Sequence, residues 1–173
     1  MCEIAGIKFH TNIWNAPIPL SYSEMQDLLI CPDTGAVCYK TRTLHPKQGN
    51  PNAWELYDWG SSNHIALHND GIDELVRHLT TLNTKKPIFI SLFGTFAEML
   101  EMVRKLNFLS LTILIEWNIS CPNVQNFALP TYEDVRAIKN ICGFPIGIKI
   151  NKYVSDLALL DQVDFIVASN TVD

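Results

Sequence analysis

The sequence predicts an α/β fold of parallel β/α units, on three observations. Short apolar runs rich in β-branched residues recur at 36–39, 87–92, 112–116, 146–148 and 165–168. Stretches with apolar residues at helical spacing lie between several of them, and capping or turn residues mark the changes of period. No repeat, low-complexity segment or linker interrupts residues 1–173, so the chain reads as one domain.

Taken in order, Ile4 to Trp14 predicts two short strands around a turn at Lys8–Thr11, and Pro17 and Pro19 mark a loop. Ser23 with Gln26 has the spacing of a capping box for a short helix ending near Ile30. The 36–39 strand ends on Lys40 and Thr41. Residues 42–69 are polar and aromatic and read as a long ordered loop. Asp70 caps a predicted helix from Ile72 to Leu82, whose Ile72, Leu75, Val76 and Leu79 share a face. Thr95 with Glu98 and Thr131 with Asp134 predict two further helix starts, and Ser155 another. The last predicted strand, Phe165 to Ala168, runs into Ser169-Asn170-Thr171.

Composition narrows the function. The 173 residues are 47% hydrophobic and 18% charged, enough apolar material for a core. A net charge of −5 without a basic run argues against nucleic acid or an anionic membrane as partner. The N-terminus lacks the basic and apolar regions of a signal peptide, and no apolar run is long enough to span a bilayer. Cysteines 2, 31, 38, 121 and 142 are odd in number and widely spaced, which predicts reduced thiols, no metal site and a cytoplasmic location.

The most informative stretch is Ile115-Glu116-Trp117-Asn118-Ile119-Ser120-Cys121-Pro122-Asn123-Val124. A buried strand leads into a turn forced by Pro122, and the turn holds a thiol between two carboxamides. Carboxamides donate and accept without charge, so Asn118 and Asn123 beside a potential thiolate base suit a neutral, planar, amide-rich ligand. Lys40, Asn118, Lys149 and Asn170 each fall at the C-terminal end of a different predicted strand. In a (β/α) barrel those ends converge on the face that carries the active site.

These residues resemble the soluble, class 1 dihydroorotate dehydrogenases, FMN-dependent TIM barrels of de novo pyrimidine biosynthesis. Asn118-Ile119-Ser120-Cys121-Pro122-Asn123 is close to that family's Asn-Leu-Ser-Cys-Pro-Asn signature. Lys40-Thr41, Gly49-Asn50-Pro51, Asn63 with Leu67 and Asn69, Pro87 to Ser91, Gly147-Ile148-Lys149 and Ser169-Asn170-Thr171 follow in family order. The resemblance implies oxidation of dihydroorotate to orotate. Cys121 matches the catalytic base; Asn63, Asn118, Asn123, Asn170 and Thr171 match substrate contacts; Lys40, Thr41, Asn118 and Lys149 match cofactor contacts to FMN.

Two departures shape the expectation. The family's Asn-Ala-Ser-Gly becomes Asn15-Ala16-Pro17-Ile18, where isoleucine is expected to close space that glycine leaves for the flavin. The five predicted strands also fall short of the eight of a complete barrel. The expected molecule is therefore a C-terminally shortened, partial FMN-binding barrel domain, about five of eight β/α units, with a second copy or a completing chain as its partner. The competing reading is a non-catalytic pseudoenzyme or half-barrel that binds a pyrimidine-like ligand or a partner chain. A third, with Lys149 as a Schiff-base lysine, is removed if borohydride traps no carbonyl adduct there.

Overall fold

A computed structural model describes residues 2–51, 53–120, 128–150 and 157–168. Its centre is a parallel sheet of five strands in the order β3 (Val37–Arg42), β6 (Ile88–Leu92), β7 (Ile113–Asn118), β8 (Ile146–Ile150), β9 (Phe165–Ala168). All four pairings are parallel, and each new strand joins the edge made by the one before. Helices α2 (Gly71–Leu79), α3 (Phe96–Leu106), α4 (Tyr132–Ile141) and α5 (Leu157–Leu160) form the crossovers. This is the arrangement of a partial (β/α) barrel, as the sequence predicts.

One side of the sheet is largely apolar. Val37, Tyr39, Ile88, Ile90, Ile113, Ile115, Trp117, Ile146 and Ile148 form one core with Leu75 and Leu79 of α2, Met99, Met102 and Val103 of α3, and Val135 and Ile138 of α4. The Trp117 indole N–H donates to the Gly94 carbonyl at 3.3 Å, so this ring buries its one polar group satisfied. Capping boxes start α3 at Thr95 with Glu98 and α4 at Thr131 with Asp134, where the sequence places them.

Other boundaries move for identifiable reasons. Helix α1 (Tyr22–Ile30) begins two residues before the expected site, because Ser21 and Glu24 form the capping box instead of Ser23 and Gln26. A carboxylate is the stronger acceptor for the cap amide. Lys86 closes the other end of α1: its ammonium donates to the Leu28 and Cys31 carbonyls at 2.9 and 2.6 Å and to Thr34 Oγ1 at 2.6 Å. Asp70 precedes α2 but makes no side-chain cap. Its carboxylate meets Arg42 at 3.4 Å, while Asn69 Oδ1 accepts the Gly71 amide at 2.8 Å.

The first hairpin, β1 (Cys2–Ile4) with β2 (Ile7–Phe9), turns at Ala5-Gly6, with φ of 51° and 80°, not at Lys8–Thr11. Two successive positive φ values are what a tight hairpin requires. The long loop contains a second hairpin, β4 (Trp54–Tyr57) with β5 (Gly60–Asn63), which the sequence does not announce. Its residues are exposed on both faces of β4, so no alternation marks it.

The two edges of the sheet differ. The Asn15 carboxamide donates to the Cys38 carbonyl at 2.7 Å and accepts the Cys38 amide at 2.8 Å, as a neighbouring strand would. Gly35 N–H donates to the Ile13 carbonyl at 2.8 Å beside it. The β3 edge is thus partly satisfied by one side chain and the segment before it. At β9, Ile166 is 46% exposed although its register partner on β8, Ile148, is fully buried.

Candidate active site on the inner face

The inner face carries the residues that alternate with the apolar core. At the N-terminal ends of the strands it is aromatic and apolar: Phe9, Ala36, Cys38, Phe89 and Leu114 form a second cluster, joined by Trp14 and Phe165. Phe89 stacks on Phe9 at 5.9 Å and on Trp14 at 5.6 Å, and meets Phe165 edge-on at 5.9 Å. The hairpin β1–β2 supplies Phe9 and so floors the sheet. One step further along the strands, the register sets Ser91 beside Glu116, Glu116 beside Gly147 and Gly147 beside Phe165. The next inward step sets Asn118 beside Lys149 and Lys149 beside Val167. The face thus turns from apolar to polar towards the strands' C-terminal ends.

A register irregularity between Tyr39 and Arg42 adds Thr41 to this polar set. Strict alternation from inward Cys38 would turn Thr41 outward. The irregularity instead brings its hydroxyl 2.8 Å from Ser91 Oγ and turns Arg42 towards the Tyr22 ring and Asp70. Ser91 Oγ donates to Glu116 Oε1 at 2.6 Å, and Asn118 Nδ2 donates to Thr41 Oγ1 at 3.3 Å. Thr41, Ser91, Glu116, Asn118 and Lys149 are all buried. Asn118 Oδ1 is buried with no hydrogen-bond partner among the described residues.

Burial pushes the Glu116 carboxyl above its ordinary range; the Lys149 charge and the Ser91 hydrogen bond oppose the shift. Burial, reinforced by Glu116, pushes the Cys38 thiol up against the pull of Lys149, which makes this inner-face cysteine an inert thiol. A cavity of about 560 Å³ lies against these groups, lined among others by Trp14, Asn15, Pro17, Glu116, Lys149 and Phe165. That is the size of a small-molecule or cofactor site, apolar in most of its wall with a few converging polar groups. Ile18 is 44% exposed and Pro17 takes the lining position, so isoleucine does not close this space as the sequence suggested.

Of the sequence-predicted residues, Thr41, Asn118 and Lys149 are brought together here, and Lys40 lies half-buried next to Thr41 on β3. Asn63 ends β5, exposed, and makes no hydrogen bond to the inner-face group among the described residues. Cys121, Asn123, Asn170 and Thr171 lie outside the described residues. Asn69 is buried and fully engaged: its carboxamide bonds Thr43, the Leu67 carbonyl and the Gly71 amide, tying the loop to the end of β3. Sequence reasoning passed over Ser91 and Glu116. The available signal was a carboxylate inside a run otherwise apolar on both sides, since an unpaired charge is not buried without a purpose or a partner.

A parallel β/α sheet with an apolar helix-covered face and a polar inner face at the strand ends defines a (β/α) barrel-type scaffold. The chain matches the family model of dihydroorotate dehydrogenase over residues 2–172, and it belongs to that family. Among curated relatives, the catalytic subunit of dihydroorotate dehydrogenase B (NAD(+)) from Caldicellulosiruptor saccharolyticus is 32% identical over 172 residues, which covers 91% of this chain and 56% of the relative. The proteins of the same name from Citrifermentans bemidjiense and Geotalea daltonii are each 33% identical, over 171 and 169 residues, and 55% of each is covered. The chain therefore spans a little over half the length of these relatives. No helix among the described residues is long and apolar enough to cross a membrane.

Proposed function

We propose that this chain carries the ring-binding half of a dihydroorotate dehydrogenase site, which oxidises dihydroorotate to orotate with FMN. The observation that supports it best is the buried polar row Thr41, Ser91, Glu116, Asn118 and Lys149 on the inner face, of which Glu116 and Lys149 line the 560 Å³ cavity. The residues fit a flavin ring. Asn118 Oδ1 is an unmatched acceptor for a ring or substrate N–H, and Lys149 is a buried cation for an electron-rich carbonyl edge. Bound FMN would supply the two-electron acceptor. Lys149 and Lys40 would hold the ring and counter the charge it gains. Asn118, with Asn63, Asn123, Asn170 and Thr171, would orient the substrate. Cys121 would take the C5 proton, a role that needs its thiolate form. The relatives' names, catalytic subunit and NAD(+), support a partner subunit that passes electrons to NAD+.

The purified chain mixed with FMN and freed of excess should be yellow, and anaerobic dihydroorotate should bleach it. Cys121→Ala should keep the colour and slow the bleaching by orders of magnitude. A folded, colourless protein that binds neither FMN nor orotate contradicts the proposal. The non-catalytic reading draws on Phe165, whose ring occupies the space a side chain at position 147 would need, and on the exposed Ile166 at the β9 edge. It predicts that orotate binds and dihydroorotate leaves any bound flavin oxidised.

A further inference from the structure

The geometry points to Glu116 as a positioning residue: through Ser91 and Thr41 it holds the Asn118 carboxamide with its oxygen free, so that the site selects a ligand presenting an N–H donor at that point. This deepens the proposed function and rests on its reading of Asn118 as a ligand-binding residue.

Ser91 has one hydroxyl proton, and Glu116 Oε1 takes it at 2.6 Å. The Thr41–Ser91 contact of 2.8 Å then has only one donor left, the Thr41 hydroxyl. With its proton spent on Ser91, Thr41 offers Asn118 only lone pairs, and the group 3.3 Å away on Asn118 must be Nδ2. The Glu116 carboxyl oxygen, which accepts from Ser91, thus sets the direction of every bond in the row. The far end is Asn118 Oδ1, buried and unmatched among the described residues, an acceptor open to a donor. Four strands take part: β6 gives Ser91, β7 gives Glu116 and Asn118, the β3 irregularity gives Thr41, and Lys149 of β8 acts through its charge, which favours the ionised form of Glu116. Without the carboxylate the order has no anchor. Ser91 would donate to Thr41, Thr41 to Asn118, and the amide would turn over to show a ligand two protons instead of a lone pair.

The test is 15N-edited NMR on the full chain, with orotate binding measured alongside. In the native protein the Asn118 side-chain amide protons should give cross-peaks to the Thr41 methyl group. Glu116→Leu and Ser91→Ala should each abolish them, and Ser91→Thr, which keeps the hydroxyl, should restore them. Orotate, whose ring N–H groups are donors, should bind at least about tenfold more weakly to the two disrupting variants and normally to Ser91→Thr. If Glu116→Leu fails to fold, Ser91→Ala carries the test. Cross-peaks that persist in a folded disrupting variant overturn the inference. Cross-peaks that vanish and return as expected, in a native chain that does not bind orotate, uphold the amide geometry and sink the proposed substrate instead.

Discussion

The two faces of the same five strands are built to opposite rules. On the outer face Ile88, Ile90, Ile113, Ile115, Trp117, Ile146 and Ile148 are all buried hydrophobics under the helices. On the inner face their immediate chain neighbours include Ser91, Glu116, Asn118, Gly147 and Lys149. The outer face can relax only by losing packing, since interiors are close-packed. The inner face holds a carboxylate, an ammonium and an unmatched amide oxygen out of water, a costly arrangement unless a ligand completes it. Stability therefore resides on one side of the sheet and recognition on the other, one residue apart.

Mutations can break that division, and the largest effect should come from the outer face. Trp117→Ala removes the largest fully buried side chain and should cost about 3–5 kcal/mol in urea unfolding, without directly touching the cavity. Ile148→Ala should cost about 2–5 kcal/mol, while Ile166→Ala, at the register partner half open to solvent, should cost under about 1 kcal/mol. Equal losses at the two positions would show that β9 is covered as well as β8. On the inner face, a Cβ at position 147 would lie 2.4 Å from the Phe165 ring. Gly147→Ala should cost about 1–3 kcal/mol, and Phe165→Leu in the same chain should recover part of it.

The smallest effect is one of pH. The folded state raises the Glu116 pKa above its ordinary 4.5, chiefly by burial, so folding favours the protonated form. Its contribution is fully present below the unfolded pKa and is lost as pH rises through the folded one. Glu116→Gln has no such dependence. Its stability relative to the native chain, followed by thermal melting, should improve as pH rises from 4 towards 7, and a flat difference would show that Lys149 and Ser91 compensate the burial fully.

How much of this was legible in the sequence depended on whether the signal was local. Thr95 with Glu98 and Thr131 with Asp134 each carry a complete helix start within four residues, and both are where the sequence puts them. At α1 two overlapping boxes competed, and spacing alone could not rank Ser21 with Glu24 against Ser23 with Gln26. The β4–β5 hairpin has no buried face to impose alternation and was invisible. Strand-end placement pointed to Lys40, Asn118, Lys149 and Asn170, because barrel ends are readable from where apolar runs stop; Asn118 and Lys149 are register partners, and Asn170 lies outside the described residues. Ser91 and Glu116 lie inside their strands, and only the register between strands shows that they face the same interior. The turning of Thr41 into that interior depends on an irregularity that no periodicity encodes.

The most direct test of the division between faces is FMN affinity, measured by fluorescence quenching, in Asn118→Leu and Lys149→Met, with unfolding free energy measured on the same samples. The account predicts binding at least about tenfold weaker in both, beyond what any loss of stability explains, because each substitution removes a buried polar group that the ligand meets. Native-like FMN affinity in both variants, or affinity lost only in step with stability, would contradict it.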